Sequence, residues 1–314
     1  MDNDNNIDLS LLVPCYNEQD NLDYLFHKLT EVLDSLNIVY EIICINDGSK
    51  DNTLLKLIEY CMHNSDIKII NLSRNFGKEA AMTAGLDYAK GKAVIPIDAD
   101  LQDPPELIKQ FWFKWLEGYD VVYGVRIDRK GESWIKKMTS KYFYRFIGKI
   151  SDTPIPEDTG DYRLMDQKVV QALKQMPERN RFMKGLFSWV GYKQTAIYFS
   201  REPRQSGKSR FNYWKLWNFA IDGITSFSSI PLKIWSYFGL IVSFLGLIYG
   251  SFLIIRTLIS GVEVPGYAST IVTILFLGGI QLITLGILGE YTGRIYQEVK
   301  QRPIYLVQET YGFE

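Results

Sequence analysis

Asp98-Ala99-Asp100-Leu101-Gln102 places two carboxylates and a side-chain amide within five residues, directly after the apolar run Ala93 to Ile97 and just ahead of Pro104-Pro105. Hard oxygen donors at a strand end suit Mg2+ or Mn2+ shared with the phosphates of a substrate. Carboxylates that only cap the helix opening at the prolines would leave the same pattern. A D-x-D string alone is a weak signal, since Asp2-Asn3-Asp4 repeats it with no strand before it. Other apolar runs end in equally reactive strings: Pro14-Cys15-Tyr16-Asn17-Glu18, Asn46-Asp47-Gly48-Ser49, Ser73-Arg74-Asn75-Phe76-Gly77-Lys78 and Gly124-Val125-Arg126. His27 and His63, the two histidines, fall on or beside predicted helices away from these ends, which sets histidine catalysis aside.

Elements that position such residues follow from the hydrophobic period. Leu9 to Val13 reads as a strand, and Leu22, Leu25, Phe26, Leu29, Val32, Leu33 and Leu36 then recur at helical spacing before a second strand, Glu41 to Ile45. Alternation continues through helix Thr53 to Met62, strand Ile67 to Leu72, helix Lys78 to Ala89, strand Ala93 to Ile97, helix Pro105 to Glu117 and strand Asp120 to Val125. This predicts an α/β, Rossmann-like domain with a mostly parallel sheet and a ligand crevice at the carboxyl ends of its strands. A nucleotide would not be held by the simplest cradles. No G-x-G-x-x-G follows the first strand, and Gly207-Lys208-Ser209 has Glu202 where a P-loop needs glycine.

With 314 residues, 46% of them apolar and 23% charged, the chain can bury a sizeable core, and a net charge of −1 excludes a general nucleic-acid binder. Cys15, Cys44 and Cys61 match neither a disulfide framework nor a zinc site and read as reduced, structural thiols.

Two uncharged stretches, Ile234 to Ile255 and Val264 to Gly289, are each long enough to cross a hydrocarbon core of about 30 Å. A buried helical hairpin is the alternative. The polar, acidic opening Met1 to Ser10 shows no cleavable signal. Arg201, Arg204, Lys208, Arg210, Lys215 and Lys233 precede the first stretch, and Arg294, Lys300 and Arg302 follow the second, so both termini are expected in the cytoplasm. The basic, amphipathic segment Ser133 to Ile150 suits a headgroup layer, or else packs on the catalytic domain with a solvated basic face. Phe211 to Phe227, with Tyr213, Trp214, Trp217, Phe219 and Phe227, suits the membrane interface, with core packing as the alternative. Gly246, Gly250, Gly289 and Gly293 allow close helix packing within the hairpin or in a homo-oligomer. The expected organisation is a catalytic domain over 1–210, a juxtamembrane amphipathic helix over 211–231, two inner-membrane spans at about 232–257 and 266–289 within 232–290, and a tail over 291–314.

Taken together these segments resemble family 2 glycosyltransferases with the GT-A fold. Within them the chain is most similar to the polyisoprenyl-phosphate sugar transferases, a group that includes dolichyl-phosphate mannose synthase and the bacterial undecaprenyl-phosphate glucosyltransferases. The resemblance covers nearly the whole chain, the two-span hairpin included. It implies that Pro14, Tyr16 and Glu18 contact the nucleotide base and ribose, that Asp47 belongs to the base pocket, and that Asp98, Asp100 and Gln102 serve the metal and diphosphate. Arg126, Lys137 and Ser140 would receive the acceptor lipid phosphate, Asp161 would face the sugar, and Arg204 and Lys208 would lie on a basic loop over the diphosphate. Asp100, Asp161 and Arg126 are then the expected catalytic residues. Asn46 stands where Asp is frequent, and Lys78, at the donor site, where Gln or His is frequent.

The implied reaction is inverting, metal-dependent transfer of glucose from UDP-glucose to undecaprenyl phosphate. Mannose from GDP-mannose or an aminoarabinose donor are the alternative sugars. The product would feed a flippase and a second transferase that glycosylates a cell-surface polymer such as O-antigen. A processive polysaccharide synthase would carry Q-x-x-R-W, which does not occur here. A non-catalytic sugar-nucleotide-binding scaffold would not need the set Asp47, Asp98, Asp100, Gln102 and Arg126.

Overall fold

The computed structural model describes residues 7–128, 159–176, 178, 179, 181, 183–200, 230–260 and 266–313. Its core is an eight-stranded sheet. The first half alternates as the sequence predicts: β1 (Leu9–Cys15), α1 (Leu22–Asp34), β2 (Tyr40–Asn46), α2 (Thr53–His63), β3 (Ile67–Leu72), α3 (Lys78–Tyr88), β4 (Ala93–Pro96), α4 (Leu107–Leu116) and β5 (Val121–Asp128). There follow β6 (Thr159–Asp166), α5 (Gln167–Lys174), α6 (Met183–Trp189), β7 (Gln194–Ser200), the long helices α7 (Ile230–Ser260) and α8 (Tyr267–Val299), and β8 (Val307–Tyr311).

In space the strands run β7-β5-β6-β4-β1-β2-β3-β8. β1 pairs in parallel with β2 and β4, β2 with β3, and β5 with β7, while β6 and β8 run antiparallel to their neighbours. The chain therefore winds from β1 outward through β2 and β3, then returns to place β4 on the other side of β1. Loops leaving β1 and β4 diverge at that reversal and open a crevice there.

Side chains alternate along each strand, so the sheet has an apolar layer on both faces. Leu9, Leu11 and Val13 meet α1, α2 and α4 on one face. Leu12, Ile43, Ile45 and Val94 meet α3, α5 and α6 on the other. The small residues Ala81 and Ala84 of α3 are fully buried, which seats that helix close against the sheet. Gly48, at φ +63°, closes the turn after β2, and a Cβ there would stand 2.5 Å from the backbone of Arg74 and Asn75. Only glycine lets the loops after β2 and β3 pack so tightly.

Several expectations change. Arg126 was expected beyond the fifth strand, but β5 runs on to Asp128 because β7 pairs along it, Arg126 opposite Phe199 and Asp128 opposite Ser200. The segment after the second long helix does more than trail, since β8 closes the β3 edge of the catalytic sheet. Two long helices stand where the hairpin was expected, and they touch each other. Among the described residues, however, no helix is long and apolar enough to cross a membrane. Val264 and Pro265 of the second apolar run lie outside those residues, as do the amphipathic segment 133–150 and the aromatic stretch 211–227.

Candidate active site

Three loops at the carboxyl ends of the strands are stitched together by their own polar groups. The Asn17 amide donates to Ser49 Oγ at 3.0 Å, Asn17 Oδ1 accepts from the Lys50 amide at 2.7 Å, and the Glu18 amide donates to Thr53 Oγ1 at 2.9 Å. These bonds tie the loop after β1, with half-buried Pro14 and Tyr16, to the loop after β2. The Glu18 carboxylate accepts from Asn21 Nδ2 at 2.6 Å.

Asp47 extends the stitching to the loop after β3. Its Oδ1 accepts from the Phe76 amide at 2.7 Å and its Oδ2 from the Gly77 amide at 2.9 Å, just before α3 begins. Burial pushes the Asp47 carboxyl above the ordinary carboxylate range, and the two amides only partly offset that. Asp47 therefore anchors the start of α3 as well as lying beside the crevice. Asn46 explains its departure from the commoner Asp: it is buried and donates through Nδ2 to Asn71 Oδ1 at 2.8 Å, a neutral pairing.

Lys78, the first residue of α3, reaches two acids from distant parts of the chain. Its Nζ lies 2.6 Å from Asp98 Oδ1 and 2.8 Å from Asp161 Oδ2. Burial alone would lower the lysine pKa, but the two carboxylates outweigh it and hold the ammonium well above its ordinary range. Asp161 sits on β6 and is brought beside Asp98 because β6 inserts between β4 and β5. Its neighbour Arg163 is buried, donates to the Gly160 carbonyl at 2.8 Å and lies 4.0 Å from the Phe187 ring centre. Burial lowers its pKa to about 10, with Asp161 opposing that shift.

The loop after β4 turns tightly, with the Leu101 amide on the Asp98 carbonyl, Leu101 at φ +46° and the Gln102 amide on Asp100 Oδ1 at 3.2 Å. Asp98, Asp100 and Gln102 thus share one short turn facing the crevice. It continues to Asp103, to which the sequence assigned no role. Asp103 is buried, and Arg126 Nη2 lies 3.2 Å from each of its carboxylate oxygens. A Cβ at Gly160 would stand 2.8 Å from Arg126 Nη2, so β6 also closes on that guanidinium. Arg126 Nε has no hydrogen-bond partner among the described residues. The one signal for Asp103 in the sequence was its place directly before Pro104-Pro105.

Of the expected site residues, Lys78, Asp98 and Asp161 meet at one point, Asp100 and Gln102 lie on the same turn as Asp98, and Arg126 joins that turn through Asp103. Lys137, Ser140, Arg204 and Lys208 lie outside the described residues. Among the described residues no cluster of three or more His, Cys, Asp or Glu has a ready-made metal-binding arrangement.

A mostly parallel sheet that reverses direction beside β1, with an acidic turn after β4 and an antiparallel strand carrying a further acid, defines a glycosyltransferase domain of the GT-A type. Residues 10–174 match the model of glycosyl transferase family 2, and residues 230–295 match that of the GtrB C-terminal hairpin. The chain belongs to glycosyl transferase family 2 and is a glycosyltransferase. It is 63% identical over 308 residues to an uncharacterized glycosyltransferase of Synechocystis sp., covering 98% of this chain and 97% of that one. It is 46% identical over 303 residues to a prophage-derived bactoprenol glucosyl transferase of Shigella flexneri, covering 96% and 98%. Among solved structures, mannosyl-3-phosphoglycerate synthase from Rubrobacter xylanophilus aligns with a TM-score of 0.48 at 16% identity, over 69% of this chain and 71% of that one.

Proposed function

We propose that this protein transfers glucose from UDP-glucose to undecaprenyl phosphate, with inversion at the anomeric carbon, at the cytoplasmic face of the bacterial inner membrane. The observation that carries the reading is similarity over 96% of the chain to bactoprenol glucosyl transferases, the C-terminal helices included.

Undecaprenyl phosphate is an acceptor that is already largely ionised near neutral pH, its second pKa being about 6, so no strong base is required. The site must instead align two anions and stabilise the departing one. Arg126, oriented by Asp103, would receive the acceptor phosphate, joined by Lys137 and Ser140. A phosphate oxygen attacks C1 of glucose from the face opposite UDP. The new C1–O bond forms as the old one breaks, and its electron pair leaves with UDP. Asp161 would orient sugar hydroxyls, while Pro14, Tyr16, Glu18 and the loop held by Asp47 would cradle the uridine. Arg204 and Lys208 would lie over the diphosphate.

Hard oxygens on one tight turn fit a divalent ion, and Asp98 and Asp100, with Gln102 beside them, would hold Mg2+ or Mn2+. That ion supplies positive charge to the leaving diphosphate.

The helices α7 and α8 would form a membrane hairpin. At 31 and 33 residues each is longer than the ~30 Å hydrocarbon core requires. Large apolar side chains such as Phe244, Ile248, Phe252, Phe276 and Leu285 stand exposed along them. Products of such a site would pass to a flippase and a second transferase.

The test is a donor panel on the detergent-solubilised protein: radiolabelled UDP-glucose, UDP-galactose and GDP-mannose, each with undecaprenyl phosphate and with Mg2+ or EDTA. Label is expected in the organic phase from UDP-glucose alone, and only with the metal. Transfer from another donor, or from none while UDP still binds, would overturn the assignment.

A further inference from the structure

We infer that Lys78 is a built-in counter-cation for Asp98, which keeps a divalent ion off that carboxylate until the ion arrives together with the nucleotide. The inference rests on the metal-dependent reading above and adds a positioning residue that sets when the metal binds.

Three observations carry it. First, Nζ of Lys78 is 2.6 Å from Asp98 Oδ1, so the carboxylate proposed as a metal ligand already has a cation in contact. Second, the arm is anchored at its base: Asp47 grips the two amides just before it, and α3 is seated on the sheet by Ala81 and Ala84. Beyond that base the side chain as a whole keeps 41% of its surface accessible, its ammonium held, among the described residues, only by the two carboxylates. Third, Asp161 holds the same ammonium from the other side at 2.8 Å, so Nζ can leave Asp98 without losing its charge partner.

Electrostatics then dictates the order of events. A dication on Asp98 and an ammonium on the same carboxylate are like charges a few ångströms apart, and a partly desolvated crevice screens them poorly. Two carboxylates and one lysine carry a net charge of −1, against −2 for the carboxylates alone, so the ammonium weakens the site's attraction for a dication. A nucleoside diphosphate reverses the balance by bringing negative charge. Its phosphates compensate the dication and offer the lysine a new partner, while Asp161 retains it. Two rival roles make different forecasts. If Lys78 only ties α3 to β4 and β6, removing it lowers stability without tightening metal binding. If it serves only the diphosphate, removing it weakens UDP binding and leaves the affinity for metal alone unchanged.

The experiment measures Mn2+ binding to the full-length protein in detergent, by electron paramagnetic resonance of the free ion, with and without UDP. Wild type, Lys78→Met and Lys78→Arg are compared, with thermal unfolding as the check that each is folded. Wild type and Lys78→Arg are expected to bind Mn2+ well only with UDP, while Lys78→Met binds Mn2+ alone about tenfold more tightly than wild type. Equal or weaker binding of Mn2+ alone by folded Lys78→Met, with UDP-dependent binding intact in wild type, overturns the inference and leaves the metal site standing. Absence of Mn2+ binding by wild type even with UDP removes the metal site and the inference with it.

Discussion

Arg126 rests its Nη2 at equal distance, 3.2 Å, from the two carboxylate oxygens of Asp103, joining β5 to the loop that carries Asp98 and Asp100. Asp103 is only 3% exposed, so its charge is costly without the guanidinium. The pair therefore fixes the direction in which Arg126 presents its remaining donors, and β6 backs it at Gly160. The proposed donor-side acids Asp98 and Asp100 and the proposed acceptor-side Arg126 are thus tied to one short loop.

Asp103→Asn should accordingly weaken acceptor handling more than donor handling. The neutral amide leaves Arg126 without its charge partner, at a cost of about 1–3 kcal/mol in stability. The KM for undecaprenyl phosphate is expected to rise roughly tenfold, matching ~1.4 kcal/mol of lost positioning, with the KM for UDP-glucose unchanged. An equal rise in both would mean that the loop as a whole has moved.

Asp47 gives a pH test with a definite sign. Burial raises its folded-state pKa, so the native protein holds a proton there that the unfolded chain has already lost. Stability attributable to Asp47 is therefore greatest below the ordinary carboxylate range, near 3.9, and declines as pH rises through the raised folded value. Compared with Asp47→Asn in urea unfolding, the wild-type advantage should shrink from the acid end of that window to its upper end. A growing advantage would show that the amides of Phe76 and Gly77 outweigh burial.

How much of this site was legible in the sequence depends on whether a residue's neighbours are local. Asp98 and Asp100 stood out because an apolar strand precedes them and prolines follow, which is information within a dozen positions. Asp161 has no such signal. It reaches the site because β6 inserts antiparallel between β4 and β5, a pairing that no local period encodes, and only the family resemblance pointed to it. Lys78 was visible as a departure from the commoner residue, but its partners come from β6 and the turn after β4. Asp103 lies one residue past the Asp98 to Gln102 string and carries no signal of its partner, since nothing near it in the chain names Arg126. β8 escaped for a similar reason: Val307 to Tyr311 is short and half-exposed, and the β3 edge makes it a strand.

Asp100→Asn tests the acidic turn itself. The amide keeps the shape of the side chain and an acceptor for the Gln102 amide, so the turn should survive. It removes the charge that would hold the divalent ion, and metal-dependent glucosyl transfer is expected to fall by roughly a hundredfold or more. Unfolding temperature should be nearly unchanged. Full transfer activity in this variant, measured as organic-phase label, would sink the assignment of Asp100.

The segment after the hairpin supports the last prediction, because it fastens α8 to the catalytic domain at several points. Glu298 accepts from the Arg179 amide at 2.8 Å, Tyr305 donates to Asp87 Oδ2 at 2.8 Å, and the Ser73 amide donates to the Leu306 carbonyl at 2.9 Å. β8 then pairs with β3, and Phe313 packs edge-on against Tyr88 at 5.2 Å. Two of these partners, Asp87 and Tyr88, close the far end of α3, the helix whose first residue is Lys78. Removing residues 304–314 would bare the β3 edge and free that end of α3. Hydrogen exchange should then quicken at the β3 amides facing β8, while β1 and β4 keep their protection. Tyr305→Phe should cost only about 1 kcal/mol, the worth of one hydrogen bond. If truncation leaves exchange at β3 unchanged, β8 does not hold that edge and the clasp has no structural role.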